Sequence, residues 1–109
     1  MYLIVTRAFP PELGGMQSLM WGLTKEMSKN YMIKVFADYQ ENHKEFDKNE
    51  NFSIERVGGI KFLRKIRKAQ LINEFLKENK VQGVIADHWK SLELINTDKK
   101  KYCLIHGKE

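Results

Sequence analysis

Cysteine is nearly absent: Cys103 is the only one in 109 residues. No internal disulfide can form, which agrees with a reducing compartment such as the cytoplasm. Cys103 lies in an apolar run and reads as a small core residue rather than a nucleophile. No apolar stretch approaches the ~20 residues needed to cross a bilayer. The N-terminus has neither a basic n-region nor a small-residue cleavage site, so no signal peptide is expected. There is no internal repeat and no low-complexity segment. Proline occurs only as the adjacent pair Pro10-Pro11. Phosphate-binding fingerprints of the G-x-G-x-x-G and G-K-[ST] kinds are missing.

What is present is an ordinary globular composition, 42% hydrophobic and 30% charged, with a formal net charge of +5. A chain of this length forms one small domain or part of a larger one. The positive excess favours phosphates, nucleic acid or anionic lipid without choosing among them.

Short apolar runs alternate with helical patterns. Tyr2–Thr6 reads as a strand buried on both faces and Val81–Ala86 as another buried strand. Met32–Ala37 and Tyr102–Ile105 read as further strands. Phe52–Val57 alternates apolar and polar residues, as a strand near a sheet edge does. Met16, Leu19, Met20, Leu23 and Met27 form one helical stripe, closed by Lys29-Asn30. Phe62, Ile66, Ala69, Ile72 and Leu76 form another, over Lys61–Asn79. Residues 38–51 have no periodicity and read as a loop. Gly58-Gly59 breaks the chain before the long helix. Ser91–Ile95 reads as a short helix, and Lys99-Lys100-Lys101 as a solvated turn. Trp89 reads as a cover over the core. Together these elements predict an α/β fold: a Rossmann-like open parallel sheet with flanking helices. In such sheets ligands gather at the carboxyl ends of strands, here Arg7–Gly15, Asp87–Trp89 and His106–Glu109.

The stretch Phe9-Pro10-Pro11-Glu12-Leu13-Gly14-Gly15 joins the first strand to the first helix. Two prolines stiffen the loop and remove two donors. Gly14 and Gly15 permit close approach of a ligand to the backbone, and the helix N-terminus behind them favours an anion. The plainer alternative is that the pair only turns the chain. After the last strand, His106 could hydrogen-bond a sugar or phosphate or move a proton. It could equally satisfy a loop carbonyl. Lys61, Arg64, Lys65, Arg67 and Lys68 open the long helix and oppose its dipole, and most of them fall off the apolar stripe.

Residues 2–37 resemble the opening of the family-4 retaining glycosyltransferases, which have the GT-B architecture and begin with a strand, a Pro-Pro-x-x-Gly-Gly loop and a helix of this spacing. Tyr102-Cys103-Leu104-Ile105-His106-Gly107-Lys108-Glu109 is similar to that family's strand-then-His-Gly-x-Glu/Asp segment. The resemblance implies that residues 1–109 are the front part of an N-terminal Rossmann-like domain. It implies that His106 lines the cleft near the transferred sugar, with Glu109 a fainter match. It implies that Gly14, Gly15, Asp87 and His88 face donor or acceptor. The implied activity is transfer of a sugar from a nucleotide-sugar to a glycan or lipid-linked acceptor, as in polysaccharide biosynthesis. The nucleotide-sugar is a substrate, and neither cofactor nor metal is implied. Asp87, His88 and His106 could in principle meet at a metal, but retaining chemistry in the family usually needs none. The basic run at Lys61–Lys68 would face an anionic membrane, placing the protein at the inner face of the cytoplasmic membrane. The family's second domain, with an Arg/Lys pair and Glu-x7-Glu, is not in this sequence, so these residues alone are expected to be inactive. The rival expectations are a non-catalytic α/β module binding a phosphate ligand or a partner, and a basic membrane or nucleic-acid adaptor. Nucleic acid is the weaker of these, since the cations carry no interleaved aromatics.

Overall fold

The computed structural model describes residues 1–104. Five strands form one all-parallel sheet in the order β3-β2-β1-β4-β5, with β1 Tyr2–Val5, β2 Ile33–Asp38, β3 Ser53–Val57, β4 Gly83–Ala86 and β5 Lys100–Cys103. β1 is central because its residues can be buried on both faces: Leu3, Ile4 and Val5 are almost wholly inaccessible. It pairs with β2 from Tyr2↔Ile33 and with β4 from Tyr2↔Gly83. Gly83 is closely packed: a Cβ there would stand 3.1 Å from the Tyr2 ring and 3.3 Å from the Lys100 carbonyl oxygen, so its neighbours would have to give by a few tenths of an ångström.

The alternation of β1 assigns the two faces. Ile4 packs with Met20 of α1 (Gly15–Ser28), together with Ile33, Val35 and Ile85. Leu3 and Val5 pack with Ile72 of α3 (Lys61–Glu78), together with Val84 and Ala86. The helices therefore cover opposite faces, which is the Rossmann-like open sheet that the sequence predicts. The expected turn at Gly58-Gly59 is present too, with Gly59 at φ 109°, a conformation that side chains disfavour.

Four expectations change. Residues 38–51 are not all loop: His43–Lys48 forms a one-and-a-half-turn helix, α2. It lacks periodicity because it is too short to show any. Phe46 anchors it to Phe9 and Trp21, and Asp47 anchors it to Arg56. The fifth strand starts at Lys100 instead of Tyr102, so Lys100 and Lys101 belong to an edge strand whose side chains reach solvent, and the expected lysine turn shrinks. The predicted helix at Ser91–Ile95 is a 3₁₀ turn at Trp89–Leu92, and Trp89 covers little, being half exposed. The α3 stripe holds at Ala69, Ile72 and Leu76 but not at its start: Phe62 is 71% exposed, while Lys68 joins the buried face.

Candidate functional site

The strand order reverses direction between β1 and β4, and the chain leaves both strands at the same edge. Asp87, the residue after β4, ties the two exits together. It is 3% exposed. Its Oδ2 accepts the Arg7 backbone N–H at 3.0 Å and lies 3.1 Å from the Thr6 hydroxyl, while Oδ1 accepts the Ser91 hydroxyl at 2.9 Å. The carboxylate is thus engaged by the chain's own donors, and a buried carboxylate requires such partners. His88 caps the following 3₁₀ turn by accepting the Lys90 N–H on Nδ1, and its ring leans on Trp89.

The loop after β1 leans the other way, toward β2 and β3. Pro10-Pro11 is a cis peptide. The Gln40 side chain donates to Phe9 O and accepts the Glu12 N–H. Arg56, whose side chain is 3% exposed, donates to Pro10 O, to Asp38 O and to both oxygens of Asp47. One buried guanidinium therefore holds the proline loop, the end of β2 and α2 together. Arg forms such forks because its five donors are fixed in a plane. Beyond this clamp, Gly14 and Gly15 are exposed. A Cβ at Gly14 would run into the flexible end of Gln17, and one at Gly15 would meet nothing within 4 Å. The glycine pair thus presents open backbone at the first turn of α1, whose first turn holds no acidic residue.

On the α3 side of the same edge lies a cavity of about 420 Å³. Arg7 reaches it from the end of β1, Asp38 from the end of β2, and Lys90 from the turn after β4. Lys61, Arg64, Lys65 and Lys68 complete its polar wall from α3, with Ala69 and Ile72 beneath and Phe62 and Leu94 at the rim. At its back the Lys68 ammonium donates to Thr6 O at 2.7 Å and to Asp38 Oδ1 at 2.8 Å. Burial pushes the Lys68 pKa down from its ordinary 10.5; Asp38 and, less strongly, Asp87 oppose this, and Arg64 adds to it. Asp38 also pairs with Arg64 at 3.2 Å, and Lys65 pairs with Glu93.

The five cations expected on one outward face therefore divide. Lys61, Lys65 and Arg67 are exposed, Arg64 is intermediate, and Lys68 turns inward. Sequence reasoning placed Arg7 at a ligand-gathering strand end without giving it a role, and missed Asp38 and Lys90. Asp38 carried a usable signal, since a carboxylate ending a buried strand needs a cation; Lys90 carried none. Gly14 and Gly15 do not line the cavity, so the structure separates the glycine loop from the cationic site. His106 and Glu109 lie outside the described residues. Among the described residues no group of three His, Cys, Asp or Glu side chains is placed to hold a metal ion.

Fold and site together define a Rossmann-like α/β protein whose polar groups collect at the carboxyl edge of its sheet. In comparisons with known proteins, no protein-family model and no curated protein matches the chain. No helix among the described residues is long and apolar enough to cross a membrane.

Proposed function

We propose that this chain is the N-terminal, acceptor-side part of a retaining glycosyltransferase of the GT-B kind. The complete protein would move a sugar from a nucleotide-sugar to a glycan or lipid-linked acceptor. The observation that carries this reading is the junction of β1, the Pro-Pro-x-x-Gly-Gly loop and α1 at the carboxyl edge, with Arg56 holding the loop at Pro10 O and the glycine backbone beyond it exposed. In parallel sheets that edge is where ligands bind. Gly14 and Gly15 would let donor phosphates or acceptor approach the main chain. His106, and less directly Glu109, would contact the transferred sugar. A second α/β domain, in cis or in trans, would hold most of the nucleotide-sugar, so residues 1–109 alone would transfer nothing.

Peripheral contact with an anionic membrane belongs to the same proposal. Ile60, Phe62 and Leu63 are 70%, 71% and 57% exposed beside Lys61, Arg64 and Lys65. A basic face with apolar side chains projecting from it suits a headgroup layer. Lys68, being buried, takes no part.

The test begins with the native transcript beyond the codon for Glu109, or a partner chain, which should supply an α/β domain with Glu-x7-Glu. With that domain present, labelled sugar should transfer, and residues 1–109 alone should transfer none. A Cβ at Gly15 meets nothing within 4 Å, so Gly15→Val should leave the melting temperature nearly unchanged and abolish transfer. Transfer by residues 1–109 alone, or undiminished transfer by the Gly15→Val protein, refutes the reading.

A further inference from the structure

We propose that the cavity between α3 and the turn after β4 is a binding site for a phosphate-bearing ligand with an apolar body. The inference goes beyond the transferase reading: it shares Lys61, Phe62, Arg64 and Lys65 with the membrane face proposed above but nothing with the glycine loop, so its failure is distinguishable from that of sugar transfer.

Charge is the first ground. Six cations and one carboxylate line the cavity, a formal charge of +5, which equals the excess of the entire chain. Asp38 is shared between Arg64 and Lys68, and Glu93 answers Lys65. Arg7, Lys61 and Lys90 have no carboxylate partner among the described residues. Like charges converging on one concavity repel each other, and low-dielectric walls focus their field into it. A multiply charged anion is the counter-charge that the wall lacks.

Helix α3 adds to the same field. Its N-cap residue, Ile60, offers no side-chain hydrogen bond, and its first turn holds no acid. The positive end of the helix is thus left uncompensated, with cations placed beside it. Three elements contribute: Arg7 follows β1, Lys90 follows β4, and Lys61, Arg64 and Lys65 come from α3. A solvated cationic stripe on a single helix would show no such convergence. Arg64 is held by Asp38 at 3.2 Å, so its guanidinium is oriented before any ligand arrives, which lowers the entropic cost of binding.

The apolar wall specifies the rest of the ligand. Ala69 and Ile72 floor the cavity, while Phe62 and Leu94 stand at its rim, 71% and 45% exposed. A volume of about 420 Å³ lies in the range of small-molecule sites, roughly 300–1,000 Å³. Inorganic phosphate alone would leave that wall unused. The shared chemistry is a phosphate headgroup on an apolar or planar body, either a soluble phosphorylated metabolite or a lipid phosphate.

The test titrates the 109-residue chain with pyrophosphate and with dihexanoyl phosphatidic acid below its micelle concentration, by calorimetry and amide-shift mapping. One-to-one binding is expected, with shifts gathered at Arg7, Arg64–Lys68 and Lys90. Arg7→Ala and Lys90→Ala remove solvent-facing side chains and should leave melting unchanged while weakening binding by about tenfold each, the loss of one charge-assisted contact. Phe62→Ser should weaken the lipid phosphate and spare pyrophosphate. Tighter binding of the lipid phosphate by about tenfold or more assigns a lipid source, a smaller preference for it assigns a soluble phosphorylated ligand, and pyrophosphate binding as tight or tighter overturns the apolar body. The proposal is overturned if neither probe binds, if binding is indifferent to Arg7→Ala and Lys90→Ala, or if the shifts gather at Gly14-Gly15 instead.

Discussion

Removing Asp47 should destabilise the protein far more than its place in a six-residue helix suggests. Among the described residues, Asp47 is the only carboxylate paired with Arg56, whose side chain is 3% exposed, against 18% for Asp47. Asp47→Ala would leave the guanidinium buried and uncompensated, and breaking a buried pair from one side costs about 3–5 kcal/mol. Arg56→Met is the gentler change. It keeps an apolar stem of similar length, leaves Asp47 with His43 at 3.0 Å, and frees the carbonyls of Pro10 and Asp38, at about 1 kcal/mol each. The expected losses are therefore about 3–4 kcal/mol for Asp47→Ala and about 2–3 kcal/mol for Arg56→Met. Against a typical domain stability of about 5–15 kcal/mol, either is a large fraction. Because the two residues share one interaction, the double variant should lose less than the sum, with a coupling of at least about 1.5 kcal/mol. Urea unfolding of the four proteins measures the cycle, and hydrogen exchange shows where the loss falls. Exchange should quicken first in residues 9–13 and 39–50. Additive losses, with coupling under about 0.5 kcal/mol, would show that the clamp does not hold the loop.

Two further outcomes follow from the buried polar groups. Lys68 has its pKa lowered by burial, so the folded state holds its proton less tightly than the unfolded chain does. Its charged form therefore costs stability below the folded pKa. That cost is relieved as pH rises from the folded pKa to the unfolded value near 10.5. Stability should climb across that window in the native protein, and in Lys68→Met this component should vanish; pH-resolved urea midpoints decide it, and an unchanged slope in the variant would sink the idea. Asp87→Ala strips the acceptor from the Arg7 N–H and the Ser91 hydroxyl and should cost about 2–3 kcal/mol by thermal or urea unfolding, whereas a loss under about 0.5 kcal/mol would mean that water replaces the carboxylate.

The sheet was legible because its central strands are buried on both faces, which leaves uninterrupted apolar runs such as Leu3-Ile4-Val5 and Val84-Ile85-Ala86. The edge strand β5 was misplaced at its start because Lys100 and Lys101 have no buried face to betray them. Helix α2 has no periodic signal at all; a tertiary contact, Arg56 with Asp47, orders it, and no local pattern encodes that pairing. Lys68 misled for another reason. Its apolar stem crosses a core position, while its ammonium reaches polar partners at the strand ends, so residue type pointed outward and geometry inward. Of the expected site residues, the glycine pair was found as exposed backbone and Asp87 as a pin between strands. The cationic cavity emerges only when the ends of β1 and β4, distant in sequence, are brought beside α3.

The pairing of β1 also governs when the molecule can assemble. β1 can meet β2 after a short helical crossover, but its other neighbour, β4, arrives only with Gly83, the partner of Tyr2; the Thr6–Asp87 pin at the same border spans 81 residues. Loop closure over such a span opposes early pairing. On a ribosome adding about 5–20 residues per second, several seconds separate the emergence of β2 from that of β4. Throughout that interval one edge of β1 has no neighbour, and the face bearing Leu3 and Val5 stays uncovered until α3, with Ile72, has been made. The young polypeptide is therefore sticky at its beginning until its end is made. A factor that shields nascent chains, or slow translation through residues 39–82, would change the yield of folded protein without altering any contact in the finished molecule.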